Sequence, residues 1–201
     1  MRKEQFDHLI RAAGGVLNEN EIIIVGSQAI LGSGVERLPP EATISREIDV
    51  LPLDDTAEAK ADLIDGTLGE GSMFSESFGV FADGVNLKTS RLPEGWRSRL
   101  VGYRTDSTNG VVAWCLETHD LLIAKYLANR EKDRRFCRAI VKAGLVQQQT
   151  LEQRLSETEC TSEAAERVRS AIHADFELRV SDFPGEAAPP KKAKEHEGPD
   201  L

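Results

Sequence analysis

The chain has 201 residues, 40% of them hydrophobic and 29% charged, with a formal net charge of −9. That length suits one good-sized domain, or one domain with a small appendage, and no apolar run approaches the roughly 20 residues of a membrane span. The acidic balance excludes general attraction to nucleic acid as a default property, and Met1 to Phe6 lack the apolar segment of a signal peptide. The three cysteines, Cys115, Cys137 and Cys160, match no zinc spacing and read as reduced thiols. These features lead us to expect a cytoplasmic protein with no membrane partner.

Apolar residues Phe6, Leu9, Ile10, Ala13 and Leu17 recur at helical spacing, which predicts an amphipathic helix over Lys3 to Leu17. Ile22 to Val25 is a β-branched run of the kind buried on both faces of a sheet. Gly26-Ser27 closes it, and Gln28 to Leu31 reads as a helix start with Ser27 at or near the N-cap. After a Gly- and Pro-rich loop, Glu47-Ile48-Asp49-Val50-Leu51 alternates acid and apolar, the pattern of a two-faced strand. Thr56 to Leu68 is the next expected helix. Phe78 to Phe81, Val85 to Lys88, Arg99 to Thr105 and Val111 to Leu116 are expected strands, separated by turn residues such as Asp83-Gly84 and Asn109-Gly110. From there the pattern is helical: Glu117 to Ala128, Glu131 to Ala143, Thr150 to Glu157 and Ser162 to Leu178. Beyond Ser181, apolar residues nearly vanish and a disordered tail is expected. The fold class is therefore α/β (or α+β) over residues 1–116, followed by a helical part over 117–180 and a tail over 181–201.

Two short motifs could carry chemistry. A Gly-Ser pair between a buried strand and a helix start suits phosphates, because glycine permits close backbone approach and the first helical N–H groups are unpaired; the same pair is commonly just a turn and cap. In Glu47-x-Asp49 the two carboxylates share one strand face, roughly 7 Å apart. Such a pair can hold Mg²⁺ beside substrate phosphates, or it can be a solvated edge. A third feature is a basic segment: Lys125, Arg130, Lys132, Arg134, Arg135, Arg138 and Lys142 stand against only Glu131 and Asp133. Arg134, Arg138 and Lys142 are four apart and lie on one helical face, as a track for the nucleotide or an RNA backbone, or as a solvated face. Trp96 and Trp114 read as packing residues.

Taken in order, Ile24-Val25-Gly26-Ser27-Gln28-Ala29-Ile30-Leu31-Gly32 followed by Ser45-Arg46-Glu47-Ile48-Asp49-Val50 resembles the polymerase-β-like nucleotidyltransferases. Within them it resembles the DUF6036 group, related to the toxin nucleotidyltransferases of AbiE-type systems (AbiEii-like). The likeness resumes at Leu92-Pro93-Glu94-Gly95-Trp96-Arg97, and again from Asp120 to Lys125 and from Arg130 to Asp133. The resemblance implies a minimal domain with a mixed β-sheet and flanking helices that transfers a nucleotide from an NTP, with Mg²⁺ or Mn²⁺. It implies a metal pair at Glu47 and Asp49 and phosphate contacts from Gly26 and Ser27. It also implies catalytic roles for Lys125 and Asp133, with Arg130 and Lys132 at the nucleotide. Glu47 departs from the usual aspartate and changes the reach. Asp83 is the candidate third carboxylate, although Asp83-Gly84 is equally a hairpin signal. On one straight helix, eight residues advance roughly 12 Å and turn about 80° off-face, so Lys125 and Asp133 need a break near Asn129 to meet. The acceptor expected is an RNA end (tRNA) or a protein hydroxyl, and the partner a cognate antitoxin. A catalytically weak relative that binds nucleotide or a partner protein is the alternative. A metal-independent helical RNase built on Arg167 and His173 is a third, with the two residues on opposite helix faces.

Overall fold

The computed structural model describes residues 1–54, 59–86 and 91–182, the last three of these by backbone alone. Helix α1 (Lys3–Leu17) buries Phe6, Leu9, Ile10 and Ala13 and stops at Asn18, whose left-handed backbone (φ 54°) ends the helix. Strand β1 (Glu21–Val25) follows, then a six-residue 3₁₀ helix over Ser27–Gly32 and a shorter one over Pro40–Thr43. Strand β2 is Glu47–Leu51, and α2 is described from Ala59 to Leu68; residues 55–58, where the helix was expected to begin, lie outside the described residues.

The middle of the chain departs from expectation. Met73–Phe78 is a short helix, α3, opened by the Ser72 side chain accepting from the Ser75 N–H and closed by a left-handed Gly79. The next strand, β3, is therefore Phe81–Gly84 and not Phe78 to Phe81. Asp83-Gly84 is no hairpin: β3 runs parallel to β2, with Asp83 registered on Asp49. Of the strand expected at Val85 to Lys88, Val85 and Asn86 are irregular and the rest lies outside the described residues. Strands β4 (Val101–Tyr103) and β5 (Val112–Cys115) complete the sheet. Helices α4 (Thr118–Ala128), α5 (Glu131–Lys142), α6 (Gln148–Ser156) and α7 (Ser162–Asp182) follow. The tail beyond Asp182 lies outside the described residues.

The five strands form one mixed sheet in the order β3-β2-β1-β5-β4. Strand β1 is central, antiparallel to β2 and parallel to β5, which is why its apolar run is continuous. Alternation then sorts the faces. Ile22, Ile24, Ile48, Val50, Ala82 and Ala113 join a core that includes α1 and α2 and continues through Leu122, Ile140, Leu151 and Ile172 of the later helices. Ile23, Val25 and Leu51 point the other way and meet Trp96, Leu100 and Trp114, so both tryptophans are packing residues. Because Glu47, Asp49 and Leu51 are two apart on one strand, the acids share this second, thinner-covered face.

One buried ionic knot fixes the connection to the helices. Asp120, fully buried, accepts from Arg99 Nε at 2.8 Å and Nη2 at 3.1 Å, and lies 3.2 Å from Arg154 Nε. Arg99 also donates to the Glu94 carbonyl, while the Glu94 N–H donates to the Glu157 carbonyl. The segment from Leu92 to Arg99 is thereby tied to α4 and α6.

Candidate active site

At the C-terminal end of β1, Gly26 has φ 67° and ψ −171°, a region essentially reserved for glycine. A Cβ there would sit 1.8 Å from Asp49 Oδ2. Backbone shape and the closeness of Asp49 therefore both require glycine, and they bring the Gly-Ser backbone against the acid strand. Gly26, not Ser27, is the capping residue, and Ser27 is the first residue of the 3₁₀ helix. Gln28 anchors that helix by donating to the Ala42 carbonyl at 3.0 Å.

On the acid strand, Glu47 and Asp49 project side by side, and Asp83 lies across the register on β3. Burial, and next the Glu47 charge, push the Asp49 carboxyl up to about 6 against the pull of Lys125. Burial and Glu47 likewise push Asp83 up to about 6, with Asp65 and Glu70 adding to the effect. The three acids repel one another. Lys132 offsets part of this from α5, its Nζ 3.5 Å from Glu47 Oε1.

The opposite wall comes from the joint between α4 and α5. Asn129 takes the left-handed conformation (φ 54°) and its N–H caps the Lys125 carbonyl, ending α4 and turning the chain. Arg134 secures the turn by donating to the Asn129 carbonyl at 2.9 Å and to its side-chain oxygen at 3.2 Å. The break expected near Asn129 is thus present, and it closes the gap that a straight helix would leave: Lys125 Nζ donates to Asp133 Oδ1 at 3.0 Å. Arg130 Nε donates to the other oxygen at 2.6 Å, and the Phe136 ring lies 4.8 Å from the ammonium. Asp133 is fully buried. Burial alone would push its carboxyl up, but the hydrogen bond from Arg130 and the charge of Lys125 hold it below the usual carboxylate range.

Between these walls lies a cavity of about 490 Å³, lined among others by Gly26, Ser27, Glu47, Asp49, Lys125, Arg130 and Lys132. The structure thus brings seven of the nine predicted site residues to one cavity. Asp133 lies beneath the wall, holding Lys125 and Arg130, and Asp83 lies one strand beyond Asp49. Arg91 also lines the cavity, a residue no motif singled out. A second groove, about 940 Å³, shares Ser27, Glu47, Lys125 and Lys132 with the first and continues along Arg46, Arg135, Arg138 and Lys142. The basic track is partly tied down: Arg138 pairs with Asp175 at 3.0 Å, and Arg134 is the residue that secures Asn129. His173 meets Glu152 and Gln148, contacts that account for it without an RNase site.

The donor set can be tested against the divalent cation that the resemblance implies. All three acids offer hard oxygen ligands of the kind Mg²⁺ and Mn²⁺ take, and the raised Asp49 and Asp83 are short of positive charge. Among the described residues, no three such side chains are gathered closely enough to hold an ion, and Glu47 is turned to Lys132. The residues fit the cation in chemistry and in the face they share, and Glu47 and Asp49 are the two that would hold it.

No helix among the described residues is long and apolar enough to cross a membrane. No curated protein and no solved structure matches the chain. A family model does, over residues 4–182, and it is described as a nucleotidyltransferase of unknown function. The mixed sheet and its cleft agree with that description, and the chain belongs to the DUF6036 nucleotidyltransferase family.

Proposed function

We propose that the chain transfers a nucleotide from an NTP to a hydroxyl of RNA, such as a tRNA end, or of a protein, and that it does so with Mg²⁺ or Mn²⁺. The observation that carries this reading is the single cavity in which a glycine-positioned backbone, a carboxylate pair and four cationic side chains face one another. The acceptor hydroxyl gives up its proton to solvent, the new bond joins its oxygen to the α-phosphorus, and the bond to the β-phosphate oxygen breaks as pyrophosphate leaves. Gly26 allows the phosphates to approach the backbone and Ser27 adds a hydroxyl. Lys125 and Arg130, fixed in advance by Asp133, neutralise charge on the triphosphate where it develops. A divalent ion on Glu47 and Asp49 would polarise the α-phosphate and lower the barrier to attack by the acceptor oxygen. Asp133 acts through Lys125 and Arg130 as a positioning residue.

A second reading, a catalytically weak relative that binds nucleotide or a partner, is favoured by the engagement of Glu47 with Lys132. Incubation of the full chain with each labelled NTP, Mg²⁺ and total RNA or lysate protein separates the two. Label transfer that is lost in Asp49→Asn supports the enzyme. Tight NTP binding by calorimetry without transfer supports the alternative. A toxin role would add growth arrest on expression, relieved by an antitoxin and absent from Asp49→Asn.

A further inference from the structure

Lys132 is the cation that pairs directly with the acid strand. It lines both the nucleotide-sized cavity and the second groove, and its ammonium sits 3.5 Å from Glu47 Oε1. Its charge also reaches Asp49 and Asp83. The lysine side chain is about two-thirds exposed (64%) and Glu47 about one-quarter (25%), so the pair is at the cleft mouth and free to exchange partners. Lys125, by contrast, is buried and paired with Asp133.

We infer that Lys132 is a positioning residue that engages Glu47 until triphosphate arrives, so that nucleotide binding frees this carboxylate to complete the metal site. This inference rests on the nucleotidyltransferase reading. Three facts meet in it. The carboxylates of Glu47, Asp49 and Asp83 lie on one sheet face, yet among the described residues no group of three such side chains is placed to hold a metal ion. The one member in direct contact with a flexible cation is Glu47. That cation lines the cavity proposed for the phosphates. An exposed lysine–carboxylate pair is worth little in free energy, whereas a triphosphate offers several oxygens of higher charge density, so the ammonium exchanges towards the nucleotide. Glu47, released from the ammonium, is then free to act as a ligand beside Asp49.

The test is Mn²⁺ binding to the full chain without nucleotide, followed by the free-Mn²⁺ electron paramagnetic resonance signal. Lys132→Gln should tighten Mn²⁺ binding about fivefold or more, the lower limit being that of a competing charge about 4 Å away screened as in bulk water. Arg135→Gln, one turn along α5, should leave the affinity within about twofold, since Arg135 is paired with Glu131 on the surface and not with an acid of the strands. In the double variant Glu47→Gln/Lys132→Gln the tightening should vanish, because the lysine acts through Glu47. Equal Mn²⁺ affinity in wild type and Lys132→Gln overturns this inference alone. Tightening that survives the Glu47 change also overturns it. Absence of Mn²⁺ binding in every variant overturns the metal reading of the site, and this inference with it.

Discussion

On the helical side of the cleft, Asp133 is fully buried and its two oxygens are taken by Lys125 and Arg130. On the sheet side, Glu47, Asp49 and Asp83 stand on neighbouring parallel strands, where burial, and next the Glu47 charge, raise the carboxyls of Asp49 and Asp83. The cationic wall is complete without a ligand, since its charges are oriented by protein partners. The acidic wall is in deficit and gains from any cation that arrives. Such an asymmetry suits a site in which the protein fixes the phosphate-binding charges beforehand and leaves the metal charge to be supplied with the substrate.

The largest effect should come from breaking the complete wall. Asp133→Ala leaves Lys125 buried beside Phe136 without its counter-charge, and loss of one partner of a buried pair costs about 3–5 kcal/mol. Urea unfolding should show a lower midpoint at unchanged slope. A loss under about 1 kcal/mol would place this joint with ordinary surface pairs and dissolve the contrast. Next is Gly26→Ala, which puts an alanine in a glycine-only backbone region and a methyl on Asp49. The expected destabilisation is about 1–3 kcal/mol, with loss of NTP binding by calorimetry. Unchanged NTP affinity would show that the Gly26 backbone has no part in holding phosphates.

Much of this contrast was legible in sequence, for local reasons. Helix α1 and strands β1 and β2 follow from periodicity, and the α4–α5 break follows from Asn129, a residue that favours the left-handed turn over a helix interior. Of the residues around the cavity, Gly26, Ser27, Glu47 and Asp49 were singled out by motif order, and Lys125, Arg130 and Lys132 by the family resemblance. What failed was the stretch from Ser72 to Gly84. A six-residue helix with its own Ser and Gly caps carries too little periodicity to be separated from a strand. Asp83-Gly84 has the composition of a hairpin, yet Gly84 is there because a Cβ would meet the Ala61 carbonyl at 2.1 Å where α2 crosses β3. Arg46 and Arg91, and the clamp of Arg99 and Arg154 on Asp120, are assembled from distant segments, so no local pattern could have shown them. That Asp133 serves beneath the wall was equally a matter of burial, which spacing alone does not report.

The smallest effect is the most direct probe of the acidic wall. Asp49 rises from 3.8 to about 6 on folding, so between those pH values the folded chain binds more protons than the unfolded one. Its unfolding free energy must therefore fall as pH rises through this window. Asp133, held low, acts in the opposite sense: its contribution is present above the unfolded value of 3.8 and lost as pH falls through its lower folded value. Asp49→Asn removes the ionisation penalty while keeping the shape of the side chain. After allowance for solvent screening at a partly exposed group, it should stabilise the chain at neutral pH by about 1–2 kcal/mol. The falling slope between pH 4 and 6 should become shallower, with the remainder belonging to Asp83. If Asp49→Asn is instead less stable at neutral pH and its pH slope is unchanged, then the acids are already compensated within the protein, and the sheet side needs no incoming cation. A gain in stability together with a loss of Mn²⁺ binding would locate the deficit at the two acid-bearing strands.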